Sequence, residues 1–305
     1  MADEVEQIVP DSEQRGFVGQ LPSAIRPFWL LARFDRPIGS WLLFWPAAWA
    51  IALAGHAIRR WDLLLWFAVG AIAMRGAGCV YNDIVDRDLD RKVARTASRP
   101  LASGSVSLKA AWAWLGLLCL IGLIVLLQLN LMAAISAIVS LAAVAAYPYM
   151  KRVTWWPQAW LGIVFSWGAL VGWPAVTGDF APALWMLYTG SIFWVIGYDT
   201  IYALQDIEDD ALAGVKSSAR KLGRHARRGI ALFYLIALAC WVYALWQIRP
   251  QFLGTLALLP LALHLGWQVA ALDRGDPADA LAKFRSNRFA GFLMFLACLV
   301  VGSTA

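Results

Sequence analysis

Charged side chains are what this sequence has least of. Only 15% of its 305 residues are Asp, Glu, Lys or Arg, and 61% are hydrophobic. A globular chain averages roughly 25% charged and 45–50% apolar residues, so a soluble enzyme is excluded. Histidine is scarcer still, and His56, His225 and His264 lie too far apart to suggest a cluster. The four cysteines, Cys79, Cys119, Cys240 and Cys298, fall in or beside apolar stretches without CxxC or zinc spacing, and read as small buried hydrophobes. No thiol or imidazole metal centre is indicated. Residues 1–20 hold five acids, one Arg and no apolar core, unlike a secretory signal or an Arg-rich transit sequence. A bacterial inner-membrane protein is therefore expected, with a disordered cytoplasmic tail over residues 1–21.

What the chain has instead is length of apolar sequence, and eighteen tryptophans of the kind that gather at membrane interfaces. A spanning helix needs about 20 mostly apolar residues and must satisfy its own backbone hydrogen bonds. Nine such segments are predicted, at 37–57, 61–81, 108–128, 130–149, 157–177, 182–204, 229–247, 251–271 and 288–303. The last is short and two connections are tight, which leaves eight as the alternative count. The fold class is thus all-α: one polytopic membrane domain over 22–305, surrounded by lipid. Its parts would be two similar halves, at about 37–150 and 157–271, and a final helix. Residues 22–34 read either as an interfacial helix, with Phe28, Trp29 and Leu30 turned to lipid, or as a plain lead-in to the first span.

The net charge of +6 is no sign of a nucleic-acid partner, because the basic residues collect in loops between apolar blocks. Twenty-two of the 26 Lys and Arg fall on one side of the predicted spans; only Arg59, Arg60 and Arg249 fall on the other, and Arg75 lies within the second span. The positive-inside rule places the N-terminus and both long basic loops in the cytoplasm.

Nine of the twenty acids sit in two short windows. The first runs Asn82, Asp83, Asp86, Asp88, Asp90, at the cytoplasmic end of the second span. The second runs Asp199, Tyr202, Gln205, Asp206, Glu208, Asp209, Asp210, at the same end of the sixth. Asp83, Asp86 and Asp90, or Asn82, Asp86 and Asp90, would form one stripe on a helix. Asp199, Tyr202 or Ala203, Asp206 and Asp210 would form another. Like charges stacked this way repel, and a cation removes the conflict. Mg²⁺ is the natural choice, since it takes one or two carboxylates and completes its shell with phosphate oxygens and water. The segment Asn82–Asp86 can also be laid over Gln205–Asp209, 123 residues later, as two repeated halves would require. Arg75 lies seven residues before Asn82 on the same face, and an intramembrane charge is a functional candidate. Lys151 and Arg152 close the fourth span. Acids that hold Mg²⁺, with basic residues nearby at a membrane surface, suit a diphosphate carrying a long apolar tail.

The run from Arg75 through Asn82, Asp83, Asp86, Asp90 and Arg95 to Thr96, followed by Arg99-Pro100-Leu101 and Gly104, resembles the first signature of the UbiA membrane prenyltransferases. Tyr198-Asp199, Tyr202, Gln205-Asp206 and Glu208-Asp209-Asp210, with Gly214 and Lys216-Ser217, resemble the second. The segments Arg33–Ser40, Tyr147–Arg152 and Pro157-Gln158 with Phe165–Gly168 are similar to the 4-hydroxybenzoate polyprenyltransferase branch of that family. The resemblance covers residues 30–225; the rest reads as generic membrane helix. It implies Mg²⁺-dependent transfer of a polyprenyl chain from polyprenyl diphosphate to the carbon ortho to the hydroxyl of 4-hydroxybenzoate, a step of ubiquinone synthesis.

By that resemblance Asn82, Asp86 and Asp90, joined by Asp83 on the same face, bind diphosphate through magnesium, as does Asp206 with Asp209 or Asp210. Asp88 points away. Asp199 either polarises the phenol or supports the metal ligands. Arg36, Arg75, Lys151, Arg152 and Tyr202 are candidates for the diphosphate or the benzoate carboxylate. The alternatives are a relative acting on another aromatic acceptor, or a transporter, which more often keeps its charges near the bilayer midplane.

Overall fold

The computed structural model describes residues 17–92, 96–207 and 216–303, and among them every regular element is a helix. In chain order these are α1 (Phe17–Gln20), α2 (Arg26–Leu31), α3 (Ile38–Leu53), α4 (Trp61–Asp90), α5 (Leu108–Leu126), α6 (Leu131–Val153), α7 (Pro157–Ser166), α8 (Gly168–Thr177) and α9 (Pro182–Ala203). After a 3₁₀ turn at Leu204–Asp206 come α10 (Ser218–Leu222), α11 (Ala226–Ile248), α12 (Phe252–Leu256), α13 (Leu259–Ala270) and α14 (Pro277–Gly302).

Six helical segments are long and apolar enough to cross a membrane, at 61–90, 108–126, 131–150, 157–177, 218–248 and 277–302. All nine predicted segments fall on helix, yet three miss that standard. Ile38–Leu53 and Gly254–Ala270 are short. The third, α9, has 22 residues but carries Thr, Ser, Tyr and Asp among its apolar side chains. Its faces are largely buried by other helices rather than by lipid, so it can hold polar groups that a lipid-facing helix would reject.

The chain gathers into two compact units, Met1–Pro37 with Ile72–Gly122 and Ile38–Ala71 with Leu123–Ala305. These cut across the sequence halves expected at 37–150 and 157–271. Of the expected tail, residues 1–16 lie outside the described residues, and Phe17–Gln20 form a helical turn. The first unit is built on Leu31, Ala32, Ala77, Val80, Leu101, Val106, Ala111 and Leu118. Phe28 and Phe34 both meet the Trp114 ring edge-on, at 5.8 and 6.5 Å. The segment 26–31 is indeed helical, and its Leu30 and Leu31 are buried in the protein.

In the second unit α9 lies at the centre, packed on α7, α11 and α14, while α3 packs on α8 and α14. Small residues set these distances, as is usual where membrane helices touch. A β-carbon on Gly172 would sit 2.6 Å from the Ala47 carbonyl oxygen, and one on Gly302 would strike that of Ala52. Three indoles fill the middle: Trp49 lies 5.1 Å from Trp194 and 5.5 Å from Trp241, and Tyr198 meets Trp194 edge-on at 4.8 Å.

Candidate active site

The first acidic window belongs wholly to α4. Its helix runs past the expected end at residue 81 to Asp90, so the carboxylates form the predicted stripe. Asp83, Asp86 and Asp90 are 2%, 1% and 6% exposed. Asp88, as expected, points away into solvent, where Arg87 and Arg91 reach it at 3.3 and 3.7 Å. Asn82 is half-buried.

Three buried acids on one helix face need positive charge, and two arginines from outside the helix supply it to Asp83 and Asp90. Arg33 places its Nη2 between both Asp83 oxygens, at 3.1 and 3.0 Å. Arg99 Nη1 reaches Asp83 Oδ1 at 3.4 Å and Asp90 Oδ2 at 3.1 Å. The following loop is fixed to the same helix end: Thr96 Oγ1 donates to the Asp90 carbonyl at 2.9 Å, and Arg91 Nε to the Ala102 carbonyl at 3.1 Å. Arg33 has a left-handed backbone, with φ 58°. A residue with a β-carbon adopts that conformation at a cost of about 1–2 kcal/mol. The turn after α2 thereby directs Arg33 to α4, while its Nη1 donates to the Leu30 carbonyl at 2.9 Å.

Sequence reasoning placed Arg99 in the first signature and Arg33 in the segment Arg33–Ser40, and missed both as partners of the acids. No spacing rule joins Arg33 to an acid fifty residues away. Of the predicted anion-binding residues, Arg75 is half-buried on α4 with its Nη1 against Cys79 Sγ. Arg36 pairs with the neighbouring Asp35 at 3.3 Å.

The second window differs from its expected form. The α-helix stops at Ala203 and tightens into the 3₁₀ turn that carries Asp206. The stripe from Asp199 to Asp206 therefore does not continue on a uniform α-helix. Asp209 and Asp210 lie outside the described residues. Asp199 is half-buried on α9, between Tyr198 and Thr200, both buried. Thr200 Oγ1 donates to the Ile196 carbonyl at 2.6 Å and shares a 2.7 Å hydrogen bond with Ser218 Oγ. The Ser218 N–H donates to Gln158 Oε1 at 3.0 Å. The start of α7 and the start of α10 are thus fastened to the C-terminal end of α9. Lys151 and Arg152 lie in the last turn of α6, where Arg152 is exposed.

The final helix does more than the sequence suggested. The Phe284 ring lies 4.6 Å from Tyr202 and 5.8 Å from Tyr198. Asn287, fully buried on α14, accepts a 2.9 Å hydrogen bond from the Trp194 indole. Its Nδ2 donates to the Lys283 carbonyl at 3.1 Å and to Gln268 Oε1 at 3.4 Å. Tyr234 donates to the same Gln268 oxygen at 2.7 Å.

Among the described residues, no three His, Cys, Asp or Glu side chains gather closely enough to hold a metal by themselves. The carboxylate oxygens of the first window are hard donors. They suit a Mg²⁺ that draws its other ligands from a phosphorylated substrate and water, and do not suit a soft metal in a closed cage.

The UbiA prenyltransferase family matches residues 43–299. The chain is 44% identical over 285 residues to 4-hydroxybenzoate geranyltransferase 2 of Lithospermum erythrorhizon, covering 92% of each. It is 42% identical over 292 residues to the mitochondrial 4-hydroxybenzoate polyprenyltransferase of Bos taurus, covering 94% of this chain and 78% of the relative. Its fold is similar to the apo structure of a UbiA homolog from Aeropyrum pernix K1, with TM-score 0.66 and 25% identity over 85% of this chain and 97% of that one. A UbiA homolog from Archaeoglobus fulgidus bound to GPP and Mg²⁺ superposes with TM-score 0.64 at 17% identity, over 92% of this chain and all of the other. With a family match running through most of its length, this multi-pass membrane protein belongs to the UbiA prenyltransferase family.

Proposed function

We propose that the chain transfers a polyprenyl group from polyprenyl diphosphate to the ring carbon ortho to the hydroxyl of 4-hydroxybenzoate, in ubiquinone biosynthesis. The allylic carbon–oxygen bond breaks, diphosphate leaves with the bonding electrons, a carbon–carbon bond forms, and the ring loses a proton. The observation that carries this reading is identity of 42–44% to relatives named for 4-hydroxybenzoate, over 92–94% of the chain.

Magnesium would supply positive charge to the departing diphosphate. On the protein side, Asn82, Asp86 and Asp90 are the proposed ligands of the first motif, and Asp206 with Asp209 or Asp210 those of the second. Buried carboxylates on one helix face are supported in that role by the arginines that hold them in place. Arg36, Arg75, Lys151, Arg152 and Tyr202 are proposed to meet the diphosphate or the benzoate carboxylate. Asp199 would accept a hydrogen bond from the phenol, raising electron density at the attacking carbon. The membrane is proposed to be a bacterial inner membrane, and the asymmetry of Lys and Arg supports a reacting end that faces the cytoplasm.

The test is mass spectrometry of products formed by membranes carrying the protein, given 4-hydroxybenzoate and a polyprenyl diphosphate with Mg²⁺ or EDTA. Prenylated 4-hydroxybenzoate that disappears with EDTA is expected. Product only with another aromatic acceptor would discard the substrate and keep the chemistry; no product with any acceptor, from folded protein, would discard the function.

A further inference from the structure

The like-charge conflict on α4 is the reason to expect a cation there, yet the chain resolves part of it alone. Asp83 has both oxygens against Arg33, and one of them also faces Arg99. Arg99 then continues to Asp90. The result is an unbroken chain, Arg33–Asp83–Arg99–Asp90, with two positive and two negative charges. Arg33 is held in a left-handed conformation, the one such residue other than glycine among those described. That conformation closes α2, where the Phe34 N–H donates to the Trp29 carbonyl at 3.1 Å, and the turn so made carries Arg33 to Asp83. Asp83 also stands on the face of Asp86 and Asp90, which is why its residue type and spacing suggest a metal ligand.

We infer that Asp83 is a positioning residue and not a metal ligand: it anchors Arg33 and Arg99, and through Arg99 it fixes the Asp90 carboxylate and the loop 96–106 at the end of α4. This rests on the proposed reading of the first motif as a magnesium–diphosphate site. The charges explain why the distinction is physical. A carboxylate kept for a metal makes its main contribution when the metal is bound. A carboxylate paired with buried guanidinium groups is needed in the metal-free protein, because its loss leaves those groups unmatched. Loss of Asp83 is therefore felt already in the metal-free protein, whereas loss of a metal ligand is felt in the stabilisation that the metal brings.

The experiment compares melting temperatures of purified wild type, Asp83→Asn, Asp86→Asn, Arg33→Gln and the Arg33→Gln/Asp83→Asn double variant, first in EDTA and then with Mg²⁺ and geranyl diphosphate. Asp83→Asn is expected to lower the melting temperature in EDTA, with the double variant no worse than the poorer single one. Asp86→Asn is expected to lose the rise produced by Mg²⁺ and geranyl diphosphate. Asp83→Asn should keep such a rise. In folded protein kcat should fall about tenfold for Asp83→Asn and for Arg33→Gln, as supporting partners of a metal site typically do, and Arg33→Lys should recover most of the loss.

If Asp83→Asn is neutral or stabilising in EDTA and abolishes the rise with Mg²⁺, Asp83 is a ligand and the inference fails. If folded Asp83→Asn keeps the wild-type kcat, the charge chain is structural only and the positioning claim fails. If instead Asp86→Asn keeps the full rise, the magnesium reading of the motif fails, while the sign in EDTA still reports on Asp83 separately. Should Asp83→Asn not fold, the exchanged pair Arg33→Asp/Asp83→Arg decides: recovered folding and activity support the pairing, and no recovery of either overturns it.

Discussion

Replacing Asn287 by leucine tests whether the last helix controls the functional end of α9. The two side chains share the same branched skeleton of four heavy atoms, so the change removes hydrogen bonds without opening a cavity. Asn287 is fully buried, and its Oδ1 receives the Trp194 N–H at 2.9 Å. With leucine there, that indole N–H has lost its partner in the bundle interior. An orphaned buried donor costs about 1–3 kcal/mol, although hydrogen bonds between membrane helices average nearer ~0.6 kcal/mol. A destabilisation of about 1–2 kcal/mol is therefore expected, between those limits. Thermal melting in detergent would read it directly. The sharper version is a double-mutant cycle with Trp194→Phe, which removes the donor and keeps an aromatic ring against Trp49 and Tyr198. In that background Asn287→Leu should cost less by at least ~0.5 kcal/mol, the usual coupling between residues in contact. Additive effects, or an unchanged melting temperature for Asn287→Leu alone, would refute the reasoning. Activity should fall together with stability, since Trp194 packs on Tyr198, the neighbour of Asp199.

Asp86→Ala and Asp206→Ala should each lower the rate of prenyl transfer by roughly 10²–10³-fold, the scale of losing one electrostatic contact to developing charge, while the protein still folds. Near-normal turnover of either variant, measured by product formation, would remove that motif from the magnesium–diphosphate assignment. Gly172→Ala should destabilise by about 1–3 kcal/mol, as overpacking does, because its β-carbon would lie 2.6 Å from a backbone oxygen of α3. Gly116→Ala, where a β-carbon would meet nothing within 4 Å, should instead gain about 0.5–1 kcal/mol of helix stability. Opposite signs in the two melting curves would establish close helix packing as the cause.

The bundle was legible in the sequence because membrane helices announce themselves by length and composition, and the stripe on α4 because carboxylates recur at helical spacing. What escaped was set by long-range packing. Phe284 and Asn287 sit in a stretch that looks like generic membrane helix, yet they touch Tyr202 and Trp194, more than eighty residues away. The end of the α-helix at Ala203 carries no Gly or Pro to mark it. Arg33 and Arg99 were visible as charges, but only the fold shows which acid each one meets.

The length of α4 has a consequence for how products depart. Thirty residues at about 1.5 Å each make a rod of ~45 Å, against a hydrocarbon layer of about 30 Å. If Trp61 sits at one boundary, some twenty residues (~20 at that rise) bring the helix to the other near Tyr81. The stretch from Asn82 to Asp90 then stands at headgroup depth, beyond the hydrocarbon layer. On the proposed reaction, the hydrophilic leaving group is released where it is already soluble, and the prenylated ring is released where its tail already lies. Two products of opposite solubility separate by partition at the moment they form, and neither has to cross the phase that rejects it.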